Sequence, residues 1–155
     1  MLAPAASVLA GMLMLWLAID SSDGLVSDDY YRQGLAINQV LRRDEHAAQL
    51  GYRAHASLSE DGTRVRVMLQ GASGASLPTA LNLRLLHPTR AGRDQTAVLF
   101  ARVPGHYEAS LISPDTGRWR VSIEDQAGSW RLSGSWRLPN DRTIELYAPT
   151  SDRKE

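Results

Sequence analysis

The side chains in this chain that are the best candidates to bind a metal ion are of two types. Cysteine is absent, which excludes disulfides, thiolate metal sites, thiol nucleophiles and CxxC redox chemistry. Imidazole and thioether groups remain, and together these suit copper. The candidates are His55, His87, His106, Met12, Met14 and Met68.

The spacing of most of these residues does not predict a preformed site. Met12 and Met14 are two residues apart in a predicted helix, so they point to different faces. His55 and His106 fall in separate predicted strands, and Met68 is out of phase with its apolar neighbours. His87 is the partial exception and is our metal candidate. It stands in "HPT", where a predicted strand ends at a loop and a functional side chain is readily exposed.

No catalytic motif is recognisable. The scattered glycines are better explained as turns than as a phosphate-binding loop. No GxSxG is present, and the Ser, His and Asp residues show no triad spacing. With 17 basic and 17 acidic residues the formal net charge is zero, which gives no electrostatic reason to expect nucleic acid. The sequence therefore predicts neither an enzyme nor a nucleic-acid-binding protein.

Residues 2–19 form an uncharged apolar run that predicts a transmembrane helix. At ~1.5 Å per residue the run extends ~27 Å, close to the ~30 Å thickness of the bilayer core. A cleaved signal peptide is the alternative, but no Lys or Arg precedes the run and no clear A-x-A site follows it. Four aspartates between positions 20 and 29 precede the first arginine, Arg32, which favours a C-terminal domain outside the cytoplasm.

A juxtamembrane segment, 20–51, follows and contains a helix predicted over 28–50. Ser27 is the expected N-cap, and Gly51 is expected to end the helix. At ~100° per residue one apolar stripe emerges, whereas the polar residues Arg32, Gln39, Arg43 and His46 lie broadly opposite. The residues on the apolar side are Tyr30, Gly34, Ile37, Leu41 and Ala48, and we call them the apolar stripe.

Gly34 indicates that something approaches this stripe closely. A glycine inside a helix costs on the order of 1 kcal/mol relative to alanine, so its presence suggests a partner backbone or helix. The alternative is that the stripe packs on this chain's own C-terminal domain. The sequence pattern leaves both open, because an amphipathic helix does not say whose surface it covers.

From residue 52 the apolar pattern changes to period two, which is typical of half-buried strands. Turn signals such as "EDG" and "PDTG" recur about every ten residues and predict seven or eight strands. We expect a mainly β chain with an antiparallel immunoglobulin-like sandwich over 52–148 and a flexible tail over 149–155. The side chains predicted to face inward are Trp119, Val121, Ile123, Trp130 and Leu132.

The block "DGLVSDDYYRQGLAINQVLRRD", after an apolar run ending in "LWLAI", resembles the FixH/CcoH family of membrane-anchored accessory proteins for cbb3-type cytochrome c oxidase. "LRLLHPTRAGRDQ", "GHYEASL" and "GRWRVSIED" follow in the family's order. The resemblance implies an inner-membrane protein with one membrane helix, a periplasmic immunoglobulin-like domain and a role in assembly or stability of the oxidase, to which a separate pump delivers copper. It does not imply catalysis.

The juxtamembrane block is therefore the expected partner-binding site, docking an oxidase subunit or the copper-transport machinery. His87 with Pro88 matches the strand-end motif, and the alternative function is a periplasmic copper carrier using His87. The family's usual cytoplasmic leader is missing before the span, which suggests an upstream start. The expected partner-binding residues are Asp28, Asp29, Tyr30, Tyr31, Gly34, Ile37, Asn38 and Leu41.

Overall fold

A computed structural model describes residues 2–20, 26–90 and 92–149. For residues 2–6, 18–20 and 26–33 it describes the backbone and not the side chains. The chain divides into two compact units, Met1–Ile37 and Asn38–Glu155. The predicted tail lies outside the described residues from position 150 onward.

The first unit contains helix α1 (Leu2–Asp20) and the beginning of helix α2 (Val26–Gln49). Among the described residues, no helix combines the length and the apolar character needed to cross a membrane. Helix α2 begins two residues before the predicted start, so Ser27 lies in its first turn and the prediction of Ser27 as N-cap is wrong. Ser27, Asp28 and Asp29 are all of capping type, yet all three lie inside the helix, so residue preference alone placed the start two residues too late.

Helix α2 ends at Gln49, one residue before the predicted Leu50, and Gly51 terminates it. This glycine has a φ of 64°, in the left-handed region that a side chain disfavours. Its N–H donates to the carbonyl of Ala48 at 3.0 Å, and the N–H of Tyr52 donates to the carbonyl of Ala47 at 3.0 Å. This pair of hydrogen bonds is the Schellman motif, which satisfies the last carbonyls of the helix and turns the chain toward the first strand.

Eight strands follow in the described residues. They are β1 (Arg53–Leu58), β2 (Arg64–Gln70), β3 (Ala80–Leu86), β4 (Gln95–Val103), β5 (His106–Ser110), β6 (Gly117–Asp125), β7 (Arg131–Leu138) and β8 (Thr143–Tyr147). All pairings are antiparallel, in the order β1-β2-β5-β4-β3-β6-β7-β8, and β8 pairs with β1 to close a barrel-like sandwich. The prediction of a mainly β antiparallel fold is confirmed. The closure was not predicted, because a period-two pattern tells which side of a strand is buried but not which strand lies beside it.

The core lies inside this barrel, where the alternation of each strand predicted it. Trp119, Val121, Ile123, Trp130 and Leu132 are all buried, which confirms the predicted inward set. The indole N–H of Trp119 donates to the carbonyl of Asp115 at 2.9 Å. Satisfying the indole in this way allows a large aromatic side chain to be buried without leaving its polar atom unpaired.

Candidate functional site

The second unit includes the C-terminal half of α2, which packs against the barrel. Ala47 is fully buried and belongs to the same apolar cluster as the barrel core. Asp44, one turn earlier, is only 4% exposed. At ~100° per residue these two positions lie on one side of the helix, which we call the barrel-facing side.

Three polar contacts attach this part of α2 to the hairpin formed by β6 and β7. Asp44 accepts two hydrogen bonds from the guanidinium of Arg131, each of 2.9 Å. Arg43 lies 3.4 Å from a carboxylate oxygen of Glu124. A two-point bond between a guanidinium and a carboxylate fixes orientation as well as distance, so the helix is held at a defined rotation.

His46 makes the third contact. Its Nδ1 lies 3.0 Å from the carbonyl oxygen of Ser129, in the turn of the same hairpin. Because a carbonyl can only accept, Nδ1 carries the donated proton. Arg43 and His46 were placed on the polar side of the predicted helix, and that side supplies part of the attachment to the barrel.

The apolar stripe is not the surface that packs on the barrel. Leu41 is 43% exposed, and Ala48 is also exposed. Ala48 is rotated by ~100° from the buried Ala47, so the stripe lies beside the barrel-facing side and not on it. For Leu41 and Ala48, the alternative that the stripe covers the chain's own domain is therefore wrong.

The earlier members of the predicted docking block lie in α2. Ile37 is 60% exposed and Asn38 is exposed. Among the described residues, a Cβ added at Gly34 would meet nothing within 4 Å. The side chains of Asp28, Asp29, Tyr30 and Tyr31 lie outside the described residues.

His87 is engaged in packing. Its ring stands edge-on to Trp119, with ring centroids 4.9 Å apart and an interplanar angle of 86°. The N–H of Thr89 donates to Nδ1 of His87 at 3.3 Å. Within the described part of the chain, no group of three or more His, Cys, Asp or Glu side chains is placed to hold a metal ion.

The fold brings the other candidate metal-binding residues of the barrel close together. In the strand register His55 is paired with Met68, and Met68 is paired with His106. The three side chains line one recess of about 460 Å³ on the outer surface of the barrel. The sequence argued against a site here, because the two histidines fall in separate predicted strands and Met68 is out of phase with its apolar neighbours. The structure brings the three residues together, because β1, β2 and β5 are neighbouring strands.

The family model that matches this chain is FixH, over residues 1–137. This chain belongs to the FixH family. The match includes both helices and most of the barrel, and it confirms the family resemblance seen in the sequence motifs. No curated protein and no solved structure is similar enough to count as a match.

Asp44 is the residue of this FixH-family chain that the sequence interpretation missed. The apolar positions of α2 recur at Ile37, Val40, Leu41, Ala47 and Ala48, and Asp44 occupies the place in that series where another apolar residue is expected. A carboxylic acid at a position where the helical period predicts an apolar residue is the sequence signal that could have identified Asp44. It indicates a buried partner but does not say that the partner is Arg131, 87 residues along the chain.

Glu108 lines the recess together with Arg66 and Arg102. Glu108 lies between three guanidinium groups, 3.4 Å from Arg64, 3.6 Å from Arg66 and 3.7 Å from Arg102. Beneath this surface, burial raises the pKa of Tyr107, whose hydroxyl donates to the carbonyl of Pro78 at 2.6 Å. Tyr107 is therefore a neutral structural donor and not an acid-base group.

Proposed function

We propose that this FixH-family chain is a non-enzymatic, membrane-anchored accessory factor that supports the assembly or stability of a cbb3-type cytochrome c oxidase. Its action is to dock a membrane partner along α2. The observation that carries the proposal is the exposed side of a helix whose other side is already fixed to the barrel. Leu41 is 43% exposed while Asp44 and Ala47, on the same helix, are buried.

The anchor in this proposal is the uncharged run 2–19, with the barrel on the periplasmic side of the inner membrane. In α1 every large apolar side chain that is described is more than half exposed, including Leu9, Met14 and Trp16. A helix that is apolar on all sides and exposed requires an apolar environment. Family membership and the four aspartates after the run support the same orientation.

An immunoglobulin-like origin for the barrel belongs to the same proposal. In that fold the strands A, B, E and D form one sheet and C, F and G the other. The strings β1-β2-β5-β4 and β3-β6-β7 in the barrel follow this order. In this interpretation, β8 is an added strand that joins β7 to β1.

The docking surface consists of the juxtamembrane block, from Asp28 to Leu41. Gly34 provides a position without a side chain, at which a partner helix can approach the backbone. Ile37 and Leu41, one and two turns further along the helix, add exposed apolar surface of the kind that a membrane-protein helix would cover. The partner is an oxidase subunit or a component of the copper-transport machinery.

The alternative function, a copper carrier using His87, gains less support. The His87 ring is packed on Trp119, and one of its nitrogens already accepts a hydrogen bond from Thr89. Copper binding that is lost in His87→Gln would favour this alternative.

Site-specific crosslinking in intact membranes tests the docking proposal. A photoreactive residue at position 41 should capture an oxidase subunit or a copper-transport component. The matched control is position 42, which is also exposed but is rotated by ~100° from the stripe. Capture of the same proteins from both positions, or from neither, would contradict docking through the stripe.

A further inference from the structure

Three side chains with metal-binding chemistry form a row across the outer surface of the barrel. The inward neighbours Val67 and Leu69 are buried, so Met68 between them points outward and is 37% exposed. His55 lies beside Met68 on one flanking strand and His106 on the other. We call these three residues the His-Met row.

The dimensions of the sheet allow one ion to reach all three. Directly paired residues on adjacent antiparallel strands have Cβ atoms about 4.5–5.5 Å apart. His55 and His106 are two strand spacings apart, roughly 10 Å. Both imidazoles can therefore lean over Met68 from opposite sides, above the recess that all three residues line.

His106 is held in a form suited to coordination. Its Nδ1 lies 3.4 Å from the carbonyl oxygen of Pro104. The carbonyl only accepts, so Nδ1 keeps its proton and the lone pair is on Nε2, in a residue that lines the recess. Metal-binding histidines commonly donate their second nitrogen to a backbone carbonyl in this way, which orients the ring.

The ligand types select the metal. Thioether sulfur is a soft ligand that favours Cu(I), whereas structural zinc sites take four ligands and magnesium or calcium takes oxygen. Arg66, Arg102 and Glu108 line the recess, and Glu145 is paired with His55. These two guanidinium groups and two carboxylates balance in charge, so the preference for Cu(I) rests on the ligand types.

We infer that His55, Met68 and His106 bind one Cu(I) ion on the outer surface of the barrel. The site includes neither His87 nor the docking stripe, and it does not depend on docking through α2. The methionine supplies sulfur, the two histidines supply nitrogen, and the recess leaves one side of the ion open to an exchange partner.

Competition with a chromogenic Cu(I) chelator, under anaerobic conditions and with the purified full-length chain, tests this site. The chain should withdraw one Cu(I) per molecule. Met68→Leu removes the sulfur with little change of shape and should weaken binding by at least about tenfold. His55→Gln and His106→Gln should each do the same, while Zn(II) should compete poorly.

Matched controls separate this site from the other sulfur and imidazole groups. Met14→Leu in α1 and His46→Gln in α2 should leave Cu(I) binding unchanged. Because the His-Met row lies on the outer surface, its three variants, measured without metal, should melt within a few degrees of the parent chain. X-ray absorption of the loaded chain should show one sulfur and two nitrogen ligands. Unchanged binding in Met68→Leu, or a copper site with nitrogen ligands alone, would overturn the inference.

Discussion

Helix α2 is attached to the barrel through Asp44, on the barrel-facing side, and through the adjacent Arg43, whereas the neighbouring stripe exposes Ile37 and Leu41. An ordinary amphipathic helix does the reverse, since it buries its apolar side and leaves its charges in water. The difference shows that attachment to the barrel does not use the apolar stripe. Ala47 and charged groups that find partners hold the helix to the barrel, and the described side chains of the stripe stay exposed.

The largest expected effect distinguishes two adjacent alanines. Ala47→Glu places a carboxylate in the apolar cluster without a partner, which should cost about 3 kcal/mol or more. Ala48→Glu, one residue along and exposed, should change the free energy of unfolding by less than about 0.5 kcal/mol. Thermal melting of both variants is the measurement. Equal melting temperatures would mean that the two sides of the helix are not distinct.

The next effect concerns the buried charge pair. Asp44→Ala leaves the guanidinium of Arg131 without its carboxylate. Removing one partner of a buried pair costs about 3–5 kcal/mol, and we expect the lower end because the Arg131 side chain is 26% exposed. Glu45→Ala, at the exposed neighbour, is the control. Combining Asp44→Ala with Arg131→Ala should recover part of the loss, and strictly additive losses would argue against a direct interaction.

The stripe should show the opposite behaviour. Gly34→Leu improves helix propensity by most of a kcal/mol and meets open space, so the chain should stay folded while the added side chain obstructs docking. Ile37→Ala and Leu41→Ala should weaken partner capture by ~1–3 kcal/mol each if those side chains are interfacial. The comparison sets oxidase assembly in cells against melting of the purified chain, with Gln39→Ala as control. Normal assembly in Gly34→Leu would refute the docking role.

The smallest effect is expected at Asp61, whose carboxylate is exposed, unlike the buried carboxylate of Asp44. Hydrogen bonds from the hydroxyls of Ser59 and Thr63 and from the Thr63 N–H hold the pKa of Asp61 well below its usual range. A carboxyl whose pKa is lower in the folded state stabilises the fold above about pH 4 and loses that contribution as the pH falls further. Asp61→Asn should therefore flatten the decline of the melting temperature below pH 4. An unchanged pH profile would show that this turn does not contribute.

Sequence reasoning succeeded where a pattern reports on a single element. Period two placed Trp119 and Ile123 inside the barrel, and Gly51 ended α2 where a left-handed residue was needed. It failed where the outcome depends on contacts between distant segments. Met68 was correctly read as outward, but only the register shows that His55 and His106 flank it. Likewise, the helical periodicity found the stripe but could not tell that Ala47, and not Ala48, meets the barrel.

The closed order of the strands limits how a partner can bind. In the described barrel every strand has a neighbour on both sides, from β1 paired with β2 and β8 around to β7 paired with β8. An open sheet can capture an extended peptide by adding it as a further strand, through backbone hydrogen bonds at an unpaired edge. The closed order restricts that route to places where pairing is sparse, such as between β7 and β8, which meet at the single pair Ser133 and Tyr147. Elsewhere a partner of the barrel unit has to recognise the side chains that the strands and α2 present outward.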